Sequence, residues 1–111
     1  MCGDVSSTPR LCDLRVRPDP AERFGTLRVS FGVSDREGDI DKACIGIAVA
    51  GVQPVIQCEA FPIRGSRINE RLETDPINVG GSPPGTYAIA LNVGDREGHV
   101  SNTITTTFRV R

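Results

Sequence analysis

Residues 86–93 read TYAIALNV, and every second side chain in this segment is large and apolar. These apolar residues run from Tyr87 to Val93 and alternate with alanine and asparagine. A period of two is that of a β-strand with one buried and one solvent-facing side. The same period recurs in the segments 25–34 and 102–110. The chain is therefore predicted to be built from strands.

Turn-forming residues separate the alternating segments at short intervals, most clearly at residues 18–20, 35–38, 80–85 and 95–98. Short alternating strands with turns at this spacing are typical of a β-sandwich. Two sheets are expected because the apolar face of each strand has to be covered. We predict an all-β fold of about seven antiparallel strands in two sheets, at residues 10–17, 25–34, 43–50, 54–59, within 67–79, 86–94 and 102–110.

The length and charge of the chain limit what it can be. It has 111 residues with 13 basic and 14 acidic side chains, so its formal net charge is −1. That length fits one domain, which we expect at residues 10–111, behind a flexible N-terminal tether at residues 1–9. Without a basic block, nucleic acid is not an expected partner, and no apolar run is long enough to span a membrane. We expect a monomer with an unidentified protein or cell-surface ligand as its partner.

The N-terminus carries a cysteine at position 2, followed by small and polar residues up to Pro9. No secretory signal precedes this cysteine. Two interpretations stay open: a cytosolic protein, or a mature segment from which an export signal has been removed. The arrangement resembles the mature start of a bacterial lipoprotein, whose first cysteine carries the lipid. That resemblance implies lipidation of Cys2 and a membrane anchor, and a chance cysteine in a flexible tail is the alternative.

Four cysteines occur and none belongs to a CxxC pair, which argues against a zinc or thioredoxin-like site. Residues 43–58 predict a hairpin that turns at Gly51. In such a hairpin Cys44 and Cys58 face each other across the ribbon, close enough for a disulfide. That bond would indicate an oxidising, extracytoplasmic compartment, whereas two buried free thiols are the alternative. The sequence leaves the state of Cys12 open.

A tetrapeptide, Asp-Arg-Glu-Gly, occurs twice, at residues 35–38 and 95–98, each time directly after an alternating strand. Aspartate at the first position and glycine at the fourth are preferred in type I turns. The carboxylate accepts a hydrogen bond from a backbone N–H, and glycine tolerates a positive φ. Two tight turns are therefore the first interpretation of this repeat.

Calcium binding is the second interpretation of the repeat. A hard cation needs about six to eight oxygen ligands, which carboxylates clustered around both copies would supply if the two turns lie at one end of the sandwich. The spacing is not that of an EF-hand loop. The candidate ligands are Asp35, Glu37, Asp39, Asp41, Asp95 and Glu97. No cofactor other than calcium is expected.

The segments 31–41 and 84–102 resemble the strand-and-turn segments of bacterial immunoglobulin-like surface domains of the PKD-like and cadherin-like kind. The second segment contains Pro-Gly-Thr-Tyr followed by the pattern V-x-D-x-x-G-x-x-S. The resemblance implies an immunoglobulin-like sandwich at the cell surface or in the periplasm, used for adhesion, spacing or ligand display. The chain departs from those domains because it has no tryptophan. Tyr87 lies where a tyrosine corner would, and it is expected to stabilise the fold through a hydrogen bond.

The sequence offers little for catalysis. The single histidine, His99, lies in a turn without a neighbouring nucleophile, and the acidic residues lie in turns rather than across a cleft. We therefore expect that the protein is not an enzyme.

Three functions fit these observations. The first is a non-catalytic interaction, adhesion or spacer module that presents the loops 35–42 and 95–101. The second is a calcium-stabilised surface module. The third is a small carbohydrate-binding or hydrolase-associated domain, which would need a pocket that uses residues 60–84.

Overall fold

Every regular element in the described part of the chain is a β-strand. The structure is a computed structural model that describes residues 2, 8–36, 38–61, 68–74 and 76–111. None of these residues belongs to a helix long and apolar enough to cross a membrane. The strands are β1 (Arg10–Arg17), β2 (Thr26–Asp35), β3 (Ile40–Val49), β4 (Gln57–Ala60), β5 (Ile68–Glu73), β6 (Ile77–Asn78), β7 (Gly85–Asp95) and β8 (Ile104–Val110).

The strands form two antiparallel sheets. In the first sheet, β2 pairs with β1 on one side and with β5 on the other, and β6 also pairs with β2. In the second sheet the order is β4-β3-β7-β8. The predicted two-sheet sandwich is therefore confirmed.

The alternating apolar residues of both sheets meet in one interior. Leu27 and Phe31 of β2 are 1% and 0% exposed, and Ile89 of β7 and Phe108 of β8 are 0% and 3% exposed. Burying one such side chain stabilises a fold by about 1.5–3 kcal/mol. This shared interior is therefore the main source of stability.

Tyr87 forms the corner hydrogen bond that the sequence predicted. Its hydroxyl donates to the carbonyl oxygen of Pro83 at 2.6 Å. Its ring stacks on Phe108, with the ring centroids 5.8 Å apart. The side chain thus joins the loop before β7 to the core.

The structure differs from the predicted strand pattern in two places. The segment within 67–79 contains two short strands, β5 and β6, instead of one. The strand predicted at 54–59 begins only at Gln57, because residues 54–56 fold against β3 at Gly46. A Cβ atom at Gly46 would lie 2.9 Å from the carbonyl oxygen of Val55, so only glycine lets this segment approach so closely.

One lateral edge of the sandwich is closed and the other is open. At the closed edge β1 packs against β8. The Asn102 side chain accepts a 2.8 Å hydrogen bond from the Leu11 N–H and donates one of 3.0 Å to the Leu11 carbonyl. At the other edge the outermost strands are β4 of the second sheet and β5 and β6 of the first. We call this side the open edge.

Candidate functional site

A cavity of about 620 Å³ lies at the open edge, between the β3–β4 hairpin and the chain that joins β5 to β6. We call it the edge groove. Its volume is that of an ordinary ligand pocket, for which about 300–1,000 Å³ is typical. Eight of the eleven described residues that line it are apolar. They are Ala43, Ile45, Ile47, Val55, Ala60, Phe61, Pro76 and Ile77, and the polar ones are Gln57, Glu59 and Thr74.

A second cavity, of about 420 Å³, continues the edge groove towards the end of the sandwich where β3 finishes. Ile47 and Ile77 line both cavities. Tyr87 and Phe108, which belong to the apolar core, line the second. The two cavities are therefore neighbours on either side of Ile47 and Ile77, and the second one reaches side chains of the core.

Large aliphatic side chains stand exposed along the β3–β4 hairpin. Val55 is 78% exposed, Val52 58% and Val49 55%, and Ile47 is 38% exposed. Proteins rarely leave a contiguous apolar surface in water unless that surface binds something. An apolar molecule in the edge groove would cover Ile47 and Val55, because both side chains line it.

The edge groove was not located from the sequence. The pocket predicted to use residues 60–84 corresponds to one wall, at Thr74, Pro76 and Ile77, whereas β3 and β4 supply the other. One signal was present in the sequence: residues 43–58 contain no charged side chain. The connection of a solvated hairpin normally consists of polar and turn-forming residues.

The second copy of the repeated tetrapeptide forms the tight turn that the sequence predicted. Asp95 Oδ1 accepts hydrogen bonds from the backbone N–H groups of Glu97 and His99, at 2.9 and 2.8 Å. Gly98 has a φ of 88°, which glycine adopts without strain. Asp95 thus accepts backbone hydrogen bonds and Gly98 adopts the positive φ, as predicted for a tight turn.

The first copy, described on either side of Glu37, makes a similar contact between its aspartate and the backbone, and it touches the second copy. Asp35 Oδ2 accepts a 3.2 Å hydrogen bond from the Asp39 N–H, and Gly38 has a φ of 64°. The Arg96 N–H donates a 3.1 Å hydrogen bond to the Asp39 carbonyl. Both turns therefore lie at one end of the sandwich, which we call the turn end.

Three of the six candidate calcium ligands converge where the two turns meet. One carboxylate oxygen from each of Asp35, Asp39 and Asp95 lies within 4.8 Å of the other two. Asp35 is fully buried and Asp95 is 4% exposed. Asp39 Oδ1 is buried, with no hydrogen-bond partner among the described residues.

Two of the other three candidate ligands, Asp41 and Glu97, are not part of this cluster. Asp41 lies in β3 and Glu97 is exposed in the second turn. Neither carboxylate belongs to the convergent group, and Glu37 lies outside the described residues. A calcium ion needs about six to eight oxygens, so backbone carbonyls or water would have to complete a site built on three carboxylates.

His99 pairs with Asp95 at the turn end. Its Nδ1 lies 2.8 Å from Asp95 Oδ2. This hydrogen bond, helped by the negative charge, raises the pKa of His99 above its ordinary value of 6.5. Burial acts to raise the pKa of Asp95, but hydrogen bonds from His99 and Glu97 outweigh it and lower that pKa below 3.8. His99 and Asp95 therefore form an ion pair at pH values between the lowered pKa of Asp95 and the raised pKa of His99.

The structure contains two disulfides. Cys44 and Cys58 are bonded as the hairpin predicted, directly opposite each other in the β3–β4 ladder with their Cα atoms 3.9 Å apart. Cys2 is bonded to Cys12, with a Cα separation of 5.4 Å. A sulfur atom in a disulfide cannot also carry a lipid, so this bond and the predicted lipidation of Cys2 exclude each other. Two disulfides indicate an oxidising, extracytoplasmic environment.

The predicted tether at residues 1–9 is only partly described. Cys2 and Pro9 are buried, and Thr8 is exposed. The other residues of this segment lie outside the described part of the chain, so the tether stays a prediction.

Solved structures with the same fold are known. A Niemann-Pick type C2 protein from the Japanese carpenter ant matches with a TM-score of 0.58 at 11% sequence identity, over 100% of this chain and 99% of that one. AlkC, an alkylpurine DNA glycosylase of Pseudomonas fluorescens bound to DNA with an abasic site analog, matches with a TM-score of 0.53 at 14% identity, over 96% of this chain and 31% of that one. At these identities the likeness establishes the fold alone, an immunoglobulin-like β-sandwich, as predicted. No protein-family model and no curated protein sequence matches the chain.

Proposed function

We propose that this protein is a non-catalytic, extracytoplasmic binding module that holds a small apolar ligand in its edge groove. The observation that carries the proposal is the groove itself, a cavity of about 620 Å³ lined mainly by apolar residues. The interior of a β-sandwich is normally filled by interdigitating side chains. A recess of this size whose described lining holds eight apolar residues therefore favours a molecule with an apolar part, which displaces water from those side chains.

The disulfides support both the location and the binding role. Two of them favour a compartment outside the cytoplasm. The Cys44–Cys58 bond also ties β4 to β3, and these two strands form one wall of the edge groove. The wall is thus held in place before a ligand binds, which reduces the entropy lost on binding.

A protein partner bound at the loops and a carbohydrate bound in the edge groove both have less support than an apolar ligand. The loops 35–42 and 95–101, which would serve a PKD-like or cadherin-like adhesion module, bind each other through the Arg96–Asp39 backbone hydrogen bond, so part of their hydrogen-bonding capacity is already used within the chain. A carbohydrate would need exposed aromatic faces for stacking. Phe61 is the one aromatic side chain among the described residues that line the edge groove, and it packs partly into the core.

Titration with a fluorescent apolar probe tests the proposed function. N-phenyl-1-naphthylamine fluoresces strongly only when it leaves water, so it reports on an accessible apolar site. We expect saturable binding of about one probe per chain to the disulfide-intact protein, and displacement of the probe by 1-decanol. The absence of a saturable signal would contradict the proposed function.

Calcium stabilisation is a second candidate function, and the convergence of Asp35, Asp39 and Asp95 favours it. Three carboxylates packed this closely repel one another unless a cation or protons neutralise them. Millimolar calcium is expected to raise the melting temperature relative to a chelator, by about 2.7 kcal/mol of stability when free calcium is about 100 times its dissociation constant.

Two matched variants make this calcium test specific. The rise in melting temperature should disappear in Asp39→Asn, because its carboxylate belongs to the convergent group. It should persist in Asp41→Asn, whose carboxylate lies outside that group. If the melting temperature of the parent protein does not respond to calcium, this second function is wrong.

A further inference from the structure

We infer that the edge groove selects neutral and cationic amphiphiles over fatty-acid anions. The inference rests on the proposed function and names its ligand class: a molecule with one apolar chain whose polar end is a hydroxyl, an amide or an amine. Three features of the lining carry it, namely one negative charge, the position of a nearby lysine, and one unsatisfied hydroxyl.

Glu59 supplies the negative charge. It is the one charged side chain among the described residues that line the edge groove. In the β3–β4 ladder Glu59 lies directly opposite Ala43, whose side chain packs in the core. Cross-strand partners project from the same face of a sheet, so the Glu59 carboxylate lies on the groove side. A ligand carboxylate next to it would meet a like charge.

Lys42 does not offset this charge. It precedes Ala43 in β3, and neighbouring residues of a strand project from opposite faces. Its side chain lies along Gly94 of β7, where an added Cβ would be 3.2 Å from Lys42 Cγ. The ammonium group is therefore on the outer face of the second sheet. A fatty-acid anion would find no compensating cation among the described residues of the lining.

Thr74 supplies the unsatisfied polar group. It lines the edge groove, and its Oγ1 is buried without a hydrogen-bond partner among the described residues. Leaving a buried hydroxyl unpaired is costly, and turning the Thr74 side chain towards a polar ligand end in the groove would recover that cost. A hydroxyl, amide, amine or carboxylate end can form this bond, whereas a plain hydrocarbon cannot, so Thr74 favours a polar end and Glu59 sets which charge that end carries.

Competition among ten-carbon amphiphiles tests the inference. 1-Decanol, decylamine and decanoate have the same apolar chain and differ in the charge of the end group at neutral pH. Each displaces N-phenyl-1-naphthylamine from the intact protein if the groove is its binding site. We expect decanol and decylamine to bind about tenfold more tightly than decanoate. Equal or tighter binding of decanoate would overturn the inference while leaving the proposed function in place.

Variants at the groove mouth assign the selectivity to particular side chains. Glu59→Gln is expected to bring decanoate within about threefold of decanol, and Glu59→Lys to favour decanoate. Glu22→Gln, which neutralises an exposed glutamate paired with Arg111 away from the groove, is the matched control and should keep the parental preference. If Glu59→Gln keeps it as well, the inference is wrong.

A variant at Thr74 separates the hydroxyl from the charge. Thr74→Val has nearly the same shape and is expected to weaken decanol binding about fivefold, with the affinity for the naphthylamine probe changed by less than about twofold. An unchanged affinity for decanol would remove Thr74 from the recognition of the polar end. If no probe binds to the parent protein, the proposed function fails, and this inference fails with it.

Discussion

Soluble proteins usually bury apolar side chains and expose polar ones. The turn end departs from this arrangement by burying polar side chains, and the open edge departs from it by exposing apolar ones. The turn end buries polar side chains, among them Asp35, Asp95 and Ser101. The open edge leaves aliphatic side chains such as Ile47 and Val55 in water. Backbone N–H groups satisfy Asp95 within the chain, whereas nothing in the described part of the chain covers Val55 to the same degree.

This difference separates a structural role from a binding role. A buried carboxylate that accepts several hydrogen bonds stabilises the turn around it. An exposed aliphatic side chain beside a recess contributes little until another molecule covers it. Substitutions at the turn end should therefore act on stability, and those at the open edge on ligand affinity.

The largest expected effect is the loss of the Cys44–Cys58 bond. Replacing both cysteines by serine removes a cross-link across a sequence separation of 14 residues. It should lower the free energy of unfolding by about 3 kcal/mol, since the unfolded chain gains freedom. Because β4 is also released from β3, the affinity for the naphthylamine probe should fall about tenfold. Urea denaturation and probe titration measure the two effects.

The other disulfide is the matched control for this variant. The Cys2–Cys12 bond spans 10 residues, so its removal should lower stability by a similar amount. Neither residue lines the edge groove, and probe affinity should therefore stay within about twofold of the parent. Equal losses of affinity in both double variants would speak against a wall held by the Cys44–Cys58 bond.

Filling the edge groove should abolish binding without unfolding the protein. Gln57 is exposed, lines the groove and lies opposite Ile45 in the β3–β4 ladder, so Gln57→Trp places an indole ring on the groove side, where the ligand would lie. We expect about a hundredfold loss of probe affinity, which corresponds to about 2.7 kcal/mol, with an unchanged melting temperature. Val100→Trp, at an exposed position beside the turn end, should bind as the parent does. A tightly binding Gln57→Trp protein would show that the ligand lies elsewhere.

A pair of alanine substitutions tests the separation of stability from binding. Asp95→Ala leaves the N–H groups of Glu97 and His99 without their acceptor and should lower the free energy of unfolding by about 2 kcal/mol. Ile47→Ala, at a partly exposed side chain, should change it by less than about 1 kcal/mol but weaken probe binding. The reverse pattern in urea denaturation and probe titration would contradict a structural role for the turn end and a binding role for the open edge.

The smallest expected effect is the pH dependence of the Asp95–His99 pair. The folded-state pKa of His99 is raised, so its contribution to stability is complete below the ordinary pKa of 6.5 and is lost as pH rises through the raised value. The pKa of Asp95 is lowered, so its contribution is complete above 3.8 and is lost as pH falls through the lowered value.

The variant His99→Asn isolates this contribution. The difference in unfolding free energy between the parent and the variant should be largest between the two ordinary pKa values and should vanish in alkaline buffer. Urea denaturation in chelator-containing buffers across this range measures it. A difference that does not change with pH would mean that the charged pair adds nothing to stability.

The strands, the turn and the hairpin disulfide were predicted correctly because each is determined by residues that lie close together in the sequence. The alternation around Ile89 and the Asp95–Gly98 turn each specify their own geometry, since strand period and turn chemistry act between near neighbours. The Cys44–Cys58 bond followed from the same logic, because a hairpin fixes its cross-strand pairs once its turn is known.

The edge groove depends on how segments that are distant in sequence pack against one another, and no short sequence pattern specifies that packing. Ile45 follows the strand alternation of a core residue and packs against the core, yet it also lines the edge groove together with Ile77 of a distant segment. The break of the ladder at residues 54–56 depends on the close approach to Gly46, which is a contact between segments. Of the six acidic candidates, local spacing likewise could not tell Asp39, which joins the cluster, from Asp41, which does not.

Two-dimensional NMR of the ¹⁵N-labelled protein, titrated with 1-decanol, tests the binding claim most directly. We expect amide shifts to change most at Ala43, Ile45, Ala60 and Ile77, which line the edge groove, and to stay unchanged at residues 95–101. Shift changes concentrated at residues 95–101, or none anywhere along the chain at saturating decanol, would contradict it.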